Sequence, residues 1–182
     1  MKSAKKILAL ILAGVMALAL LTGCGKAASL DRTVAEGLAE CFKSKFAEEG
    51  LSNNISVSYQ VPELSRNIAP LFDENWIAYD VDGNPNALDR NHQINGKTIE
   101  ETLKNILSPH ISAASTVFFV AADVTDVKTP FMEITNLNNS QIALSITGSS
   151  FEFTSVTTIK VAVTHKTVNG RTYALTVVIF EA

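Results

Sequence analysis

The sequence predicts an α+β domain in which an N-terminal amphipathic helix and one or two short helices pack on a curved antiparallel sheet of five to seven strands. Three observations lead to this fold class. A helical pattern of apolar residues follows residue 29, β-type segments fill most of the chain after residue 115, and Asn169-Gly170 separates two long β-rich arms. Helices that come early and strands that come late favour α+β over alternating βαβ units.

The first helix is expected over residues 29–50. Its apolar residues recur at steps of three and four, which places them on one side of a helix. They are Leu30, Val34, Leu38, Cys41, Phe42 and Phe46. We therefore expect Cys41 to be an inert thiol in the core, since unpaired cysteine is among the most frequently buried residue types. The alternative is a reactive or intermolecular thiol.

A second helix is expected over residues 98–107. Thr98 and Glu101 have the three-residue spacing of a capping box, and the apolar residues that follow share one side. A further short helix is expected over residues 62–69, because that segment opens with a proline, which suits the first helical position.

Seven segments have the composition or the alternation of β-strands. They cover residues 55–61, 76–81, 116–124, 131–135 and 141–147 and the two arms that flank Asn169-Gly170. Residues 82–86, between the second strand and the second helix, have the composition of a turn.

The two arms form the strongest structural signal. Asn169-Gly170 is a preferred pair for a two-residue type I′ turn, which pairs Val168 with Arg171 and fixes every later pair of the hairpin. The odd-numbered residues of the first arm are mostly apolar, so that side is expected to face the core. A bend or bulge is expected near residues 155–157, because the first arm is longer than an ordinary strand.

The same register places an apolar row on the other side of the second arm. Its members are Tyr173, Leu175, Val177 and Ile179. One interpretation is that a helix covers this row, as helices cover sheets in α+β domains. The other is an exposed candidate partner-binding strip with Tyr173 as its aromatic anchor, since aromatic residues often dominate the binding energy of interfaces.

The first 24 residues have the features of a secretory signal. Lysines precede an apolar run over residues 7–21, and small residues lead to Cys24. The tetrapeptide Leu21-Thr22-Gly23-Cys24 resembles the lipobox of bacterial lipoproteins. The resemblance implies that residues 1–23 are removed and that the sulfur of Cys24 carries a diacylglyceryl group.

The mature chain would then consist of a short tether, residues 24–29, and a single domain, residues 30–182. Because two acyl chains anchor a protein stably, we expect the domain to be held on the extracytoplasmic face of the cell membrane through the lipid on Cys24. Loss of three lysines with the signal leaves 12 basic and 18 acidic side chains, a net charge of −6. Nucleic acid is therefore not expected as a partner, because its binding requires clustered cations.

Residues that could carry chemistry do not form a known motif. His92, His110 and His165 are too widely spaced in the sequence to indicate a metal site. The segment from Asp80 to Asn84 suggests a calcium loop, but Pro85 stands where an EF-hand has its glycine. The sequence thus predicts no catalytic residue, no metal ligand and no cofactor.

Three functions remain open. We favour a non-enzymatic surface lipoprotein that binds an unidentified protein, peptide or wall component. The main alternative is a cell-envelope hydrolase with a dispersed active site, and the third possibility is an inhibitor or periplasmic chaperone-like module. A deep pocket with converging polar groups near His110 or Asp80 would favour the hydrolase, whereas a shallow apolar strip would favour the binding module.

Overall fold

The computed structural model of the protein describes residues 30–51, 54–61 and 67–182. Within these ranges the fold is α+β, as the sequence predicts, with three α-helices, a five-stranded sheet and two small two-stranded sheets. The expected signal and tether, Cys24 and most of the short helix expected near residue 65 lie outside the described residues.

The helices are α1 (Leu30–Glu48), α2 (Ile99–Leu107) and α3 (Pro130–Asn139). Two of the predicted helices, α1 and α2, are confirmed. In the predicted capping box of α2, Thr98 Oγ1 accepts a hydrogen bond from the Glu101 N–H, and the Glu101 carboxylate accepts one from the Thr98 N–H.

Cys41 is buried on the inner side of α1, as predicted. Its side chain belongs to the core between α1 and the sheet, and the residue is 6% exposed. Burial raises the pKa of the Cys41 thiol to about 11. At neutral pH the thiol is therefore in its weakly nucleophilic, protonated form.

The described residues form nine strands. They are β1 (Ser56–Ser58), β2 (Ile77–Tyr79), β3 (Pro85–Leu88), β4 (Gln93–Ile94), β5 (Lys97–Thr98), β6 (Ser115–Asp123), β7 (Ala143–Thr147), β8 (Thr158–Val168) and β9 (Arg171–Glu181). The main sheet has the order β1-β8-β9-β6-β7, while β2 pairs with β3 and β4 with β5. Since β1 runs parallel to β8, the main sheet is mixed rather than antiparallel throughout.

The strand predicted over residues 131–135 is wrong, because these residues belong to α3. Thr129 caps the helix by accepting a backbone hydrogen bond, and Pro130 occupies the first helical position. Ile134 and Leu137 then lie on the buried side of the helix. Their packing outweighs the strand preference of the aromatic and β-branched residues in this segment.

The hairpin of β8 and β9 confirms the predicted turn and register. Asn169 and Gly170 have φ angles of 48° and 80°, as a type I′ turn requires. Val168 pairs with Arg171, and the same register continues without interruption to the far end of both strands. Before β8 the chain makes a short 3-10 turn (Phe153–Ser155), where a bend was expected.

The main sheet lies between two layers, and each of its faces has a core of its own. On one face α1 and α3 cover the odd-numbered residues of β8, and the Phe46 ring stacks on Phe180 with 5.6 Å between centroids. On the other face α2 and residues 67–88 pack against β6 and β9. This arrangement explains why residues 173–180 of β9 are all buried.

Replacement of Gly170 by valine tests the turn. Gly170→Val should lower the free energy of unfolding by about 1–3 kcal/mol, because a β-branched residue is strained at positive φ. Urea unfolding followed by circular dichroism measures this loss. In the control variant Asn169→Gly, glycine retains access to positive φ, so the change should stay below about 1 kcal/mol. A Gly170→Val protein as stable as the wild type would contradict the turn.

Candidate functional site

The row proposed as a partner-binding strip is buried, so the exposed-strip interpretation is wrong. Tyr173, Leu175, Val177 and Ile179 are each at most 1% exposed. Residues 67–88 and α2 cover them, and the ring of Phe72 lies 5.2 Å from that of Tyr173. The physical reason is that β9 is apolar on both sides, and burial of both sides requires a second layer.

Tyr173 is hydrogen-bonded inside the fold. Its hydroxyl lies 3.4 Å from that of Tyr79, at the end of the sheet that carries the β8–β9 turn. Burial, and then the hydrogen bond with Tyr79, raise the pKa of the Tyr173 phenol above its usual range. The phenol is therefore neutral and serves as a hydrogen-bonding partner rather than as a nucleophile or an interface anchor.

His165 joins the first turns of α1 and α3 to β8. Its Nδ1 lies 2.5 Å from Asp31 Oδ1, and its Nε2 lies 2.7 Å from Glu133 Oε1. The hydrogen bond with Glu133 is the largest cause of a rise in the pKa of His165 to about 9, and the bond with Asp31 adds to it against the opposing effect of burial. At neutral pH the ring is therefore protonated on both nitrogens.

We call His165, Asp31 and Glu133 the histidine clamp. Glu133 is 3% exposed, and a carboxylate so deeply buried needs a compensating cation, which His165 supplies. An imidazolium that donates from both nitrogens has no lone pair with which to abstract a proton. The clamp is thus arranged to hold two helices and a strand together rather than to act as a general base.

The histidines are not brought together. His110 ends a 3-10 turn after α2 (Ser108–His110), five residues before β6 and at the opposite end of the main sheet from His165. His92 lies in the turn before β4. Within the part of the chain that the structure describes, no group of three or more His, Cys, Asp or Glu side chains could hold a metal ion.

The segment with a calcium-loop resemblance is a turn stabilised by its own backbone. Asp80 Oδ1 accepts hydrogen bonds from the N–H groups of Asn84, at 2.8 Å, and Asp82, at 3.0 Å. The bond from the Asn84 backbone is the largest cause of a lowered pKa at Asp80. These local bonds account for the run of polar residues between β2 and β3.

A cavity lies between β7, β3 and the first turn of α2. It encloses about 100 Å³ and is lined by Ala87, Leu88, Arg90, Ile99, Glu100, Gln141, Ala143 and Leu144. Sites for small molecules usually enclose roughly 300–1,000 Å³. This cavity therefore has room for about one side chain, and neither His110 nor Asp80 lines it.

The outer side of β7 is an open edge in the described part of the chain. Backbone hydrogen bonds to β6 at Ile142 and Gly148 mark the two ends of the β6–β7 ladder. Because paired positions alternate in antiparallel strands, the even-numbered residues of β7 bond to β6 and the odd-numbered ones face outward. The outward residues are Ala143, Ser145 and Thr147.

The open part of this edge is short. The Ala143 N–H donates to the Gln141 carbonyl at 2.9 Å and is not free for a partner. Beyond the strand, Gly148 packs so closely that a Cβ there would lie 2.2 Å from the Ala113 carbonyl oxygen. Within β7, the outward N–H groups that remain for pairing belong to Ser145 and Thr147.

The raised pKa of His165 predicts that the clamp weakens in alkali. The ordinary pKa is 6.5 and the pKa in the folded protein is about 9. The contribution of the clamp to stability is therefore fully present below pH 6.5 and is lost as the pH rises through 9.

Urea unfolding of wild type and His165→Gln at about pH 6 and about pH 10 measures this loss. The stability advantage of the wild type should shrink by about 1–2 kcal/mol at the higher pH, after allowance for solvent screening of the partly exposed ring. His92→Gln controls for the loss of a histidine and should follow the wild type. An equal pH dependence in wild type and His165→Gln would rule out the clamp.

No family model, curated protein or solved structure matches this chain. Among the residues that the structure describes, no helix is both long and apolar enough to cross a bilayer. Function must therefore be inferred from the residues of the chain and from the surfaces that the fold leaves open.

Proposed function

We propose that the protein is a lipid-anchored, extracytoplasmic module that binds an extended segment of a partner at the edge of its main sheet. The observation that carries the proposal is the position of Cys24, which ends the lipobox-like tetrapeptide and is separated from α1 by only five residues. Five extended residues reach at most about 18 Å. Acyl chains on Cys24 would therefore hold the domain close to the lipid surface.

The binding part of the proposal rests on the surface that remains open. Helices and loops cover both faces of the main sheet, so a partner strand meets its edge rather than a face. The outward backbone groups of Ser145 and Thr147 match the hydrogen-bonding pattern of an incoming strand. The cavity beside Leu144 has room for one side chain of that strand, which would add selectivity.

A protein or peptide suits this edge better than the other classes of partner. The acidic balance of the expected mature chain disfavours a polyanion. The hydrolase alternative is less well supported, because the protonated His165 has no lone pair to offer.

Metabolic labelling with a fatty acid tests the anchor. Wild type and Cys41→Ser should incorporate the label, whereas Cys24→Ser should not, because Cys24 would carry the diacylglyceryl group. Mass spectrometry of the mature chain should show that residues 1–23 are removed. Cys41→Ser is the matched control, since it removes a buried cysteine. Label that persists in Cys24→Ser, or a wild type without label, would overturn the anchor.

Replacement of Ser145 by proline tests the edge. Proline removes the outward N–H of residue 145 and keeps the bonds of its two neighbours to β6, a position at which edge strands tolerate proline. Peptides selected on the wild type from a random display library should bind Ser145→Pro at least about tenfold more weakly, the effect of one lost hydrogen bond. Ser145→Ala keeps the N–H and should bind as the wild type does.

Thermal unfolding of the three proteins serves as the folding control. Equal midpoints would show that the loss of binding in Ser145→Pro comes from the edge and not from the fold. Selected peptides that bind Ser145→Pro with unchanged affinity would place the binding surface elsewhere on the molecule.

A further inference from the structure

The exposed large hydrophobic side chains of the described residues gather at one end of the main sheet. They are Leu30, Tyr79, Val81, Phe131 and Met132. We call this end, which comprises the β8–β9 turn, the β2–β3 turn and the first turns of α1 and α3, the turn end. The turn end lies close to the anchor expected at Cys24, and this position gives the exposure of its apolar side chains a common explanation.

The histidine clamp brings the first turns of the two helices together. Leu30 directly precedes Asp31, whose Oδ1 lies 2.5 Å from His165 Nδ1. Met132 directly precedes Glu133, whose Oε1 lies 2.7 Å from His165 Nε2. His165 itself lies three residues before the end of β8, and therefore close to the β8–β9 turn. Leu30 and Met132 are 48% and 46% exposed, and Phe131 beside them is 39% exposed.

The strand β2 runs toward the same end on the other face of the sheet. The ring of Trp76 lies 6.3 Å from Phe119 in the middle of the sheet, whereas the Tyr79 hydroxyl contacts that of Tyr173 near the β8–β9 turn. Val81 follows two residues later and is fully exposed. An apolar side chain at the tip of a turn gains the free energy of burial only when another surface covers it.

The first described residue of the chain, Leu30, lies at the turn end. α1 begins there with Leu30 and runs away from it, since Phe46 stacks on Phe180 near the opposite end. The six steps from Cys24 to Leu30 reach at most about 22 Å, whereas a helix of 19 residues spans roughly 28 Å. The turn end is therefore the part of the fold nearest to the expected lipid.

We propose that the turn end rests on the lipid bilayer, with its exposed apolar side chains in the boundary between headgroups and acyl chains. The proposal rests on the anchoring at Cys24 proposed above. Apolar side chains gain free energy in that boundary, and a second membrane contact strengthens attachment by an acyl anchor. The strands of the main sheet would then point away from the membrane, with the edge of β7 facing sideways.

The charges at the turn end are mixed, which indicates that the contact is apolar. Asp82, Asp126, Lys128 and Arg171 are all exposed there. A surface that recognises anionic lipid through charge has clustered cations instead. Neutral phosphatidylcholine vesicles are therefore a suitable probe.

Tryptophan fluorescence in vesicles tests the proposal. The mature lipoprotein is purified from membranes and reconstituted in phosphatidylcholine vesicles that contain brominated acyl chains, which quench a tryptophan inserted to about 5–10 Å. Phe131→Trp reports on the turn end. Thr154→Trp, exposed near the opposite end of the sheet, is the matched control, and the native Trp76 is fully buried.

Phe131→Trp should show a blue-shifted emission and at least about twofold more quenching than Thr154→Trp. Equal quenching at the two sites, in protein that floats with the vesicles, would overturn the membrane contact and leave the anchor intact. Protein that does not float with the vesicles would instead contradict the anchor. A blue shift that appears in the unlipidated Cys24→Ser protein as its concentration rises would assign the turn end to a second copy of the chain and overturn the membrane contact.

Discussion

The pairing of β8 with β9 determines which residues face each layer of the molecule. Side chains alternate between the two faces of a strand, so a shift of one residue would exchange the two faces of the hairpin. The type I′ turn at Asn169-Gly170 prevents that shift. Because β9 is apolar on both faces from residue 173 to residue 180, this register requires a hydrophobic core on each face of the sheet. One face is covered by α1 and α3, and the other is covered by α2 and residues 67–88.

The parts of this fold that can be predicted from the sequence are those that short-range chemistry specifies. The turn at Asn169-Gly170 and the cap formed by Thr98 and Glu101 each require only residues that are close in the chain. α3 shows where such reasoning fails. The aromatic and β-branched residues after Pro130 favour a strand, but the cap at Thr129 and packing against the neighbouring elements produce a helix.

The candidate site could be predicted only in part, because its members are distant in sequence. The register places the odd-numbered His165 on the core side of β8, but Asp31 lies 134 residues away and Glu133 lies 32 residues away. No local pattern links the three. The apolar row that begins at Tyr173 was identified correctly as a row, yet only the position of residues 67–88 shows that it is covered. In the same way, the open edge of β7 follows from the strand order, which no single segment encodes.

For a protein anchored as proposed above, the shortness of the open edge would also limit contacts between crowded copies. A long, flat edge would allow neighbouring copies to join their sheets and aggregate. Here the Ala143 N–H is hydrogen-bonded to the Gln141 carbonyl, and Gly148 packs closely against the Ala113 carbonyl. Within β7, the N–H groups that remain to donate outward are those of Ser145 and Thr147. Two backbone donors would suffice to position a short peptide whose side chains also make complementary contacts. They would give little stability to a pairing between the β7 edges of two copies. The same packing that limits what this edge can bind would therefore help to keep densely anchored molecules separate.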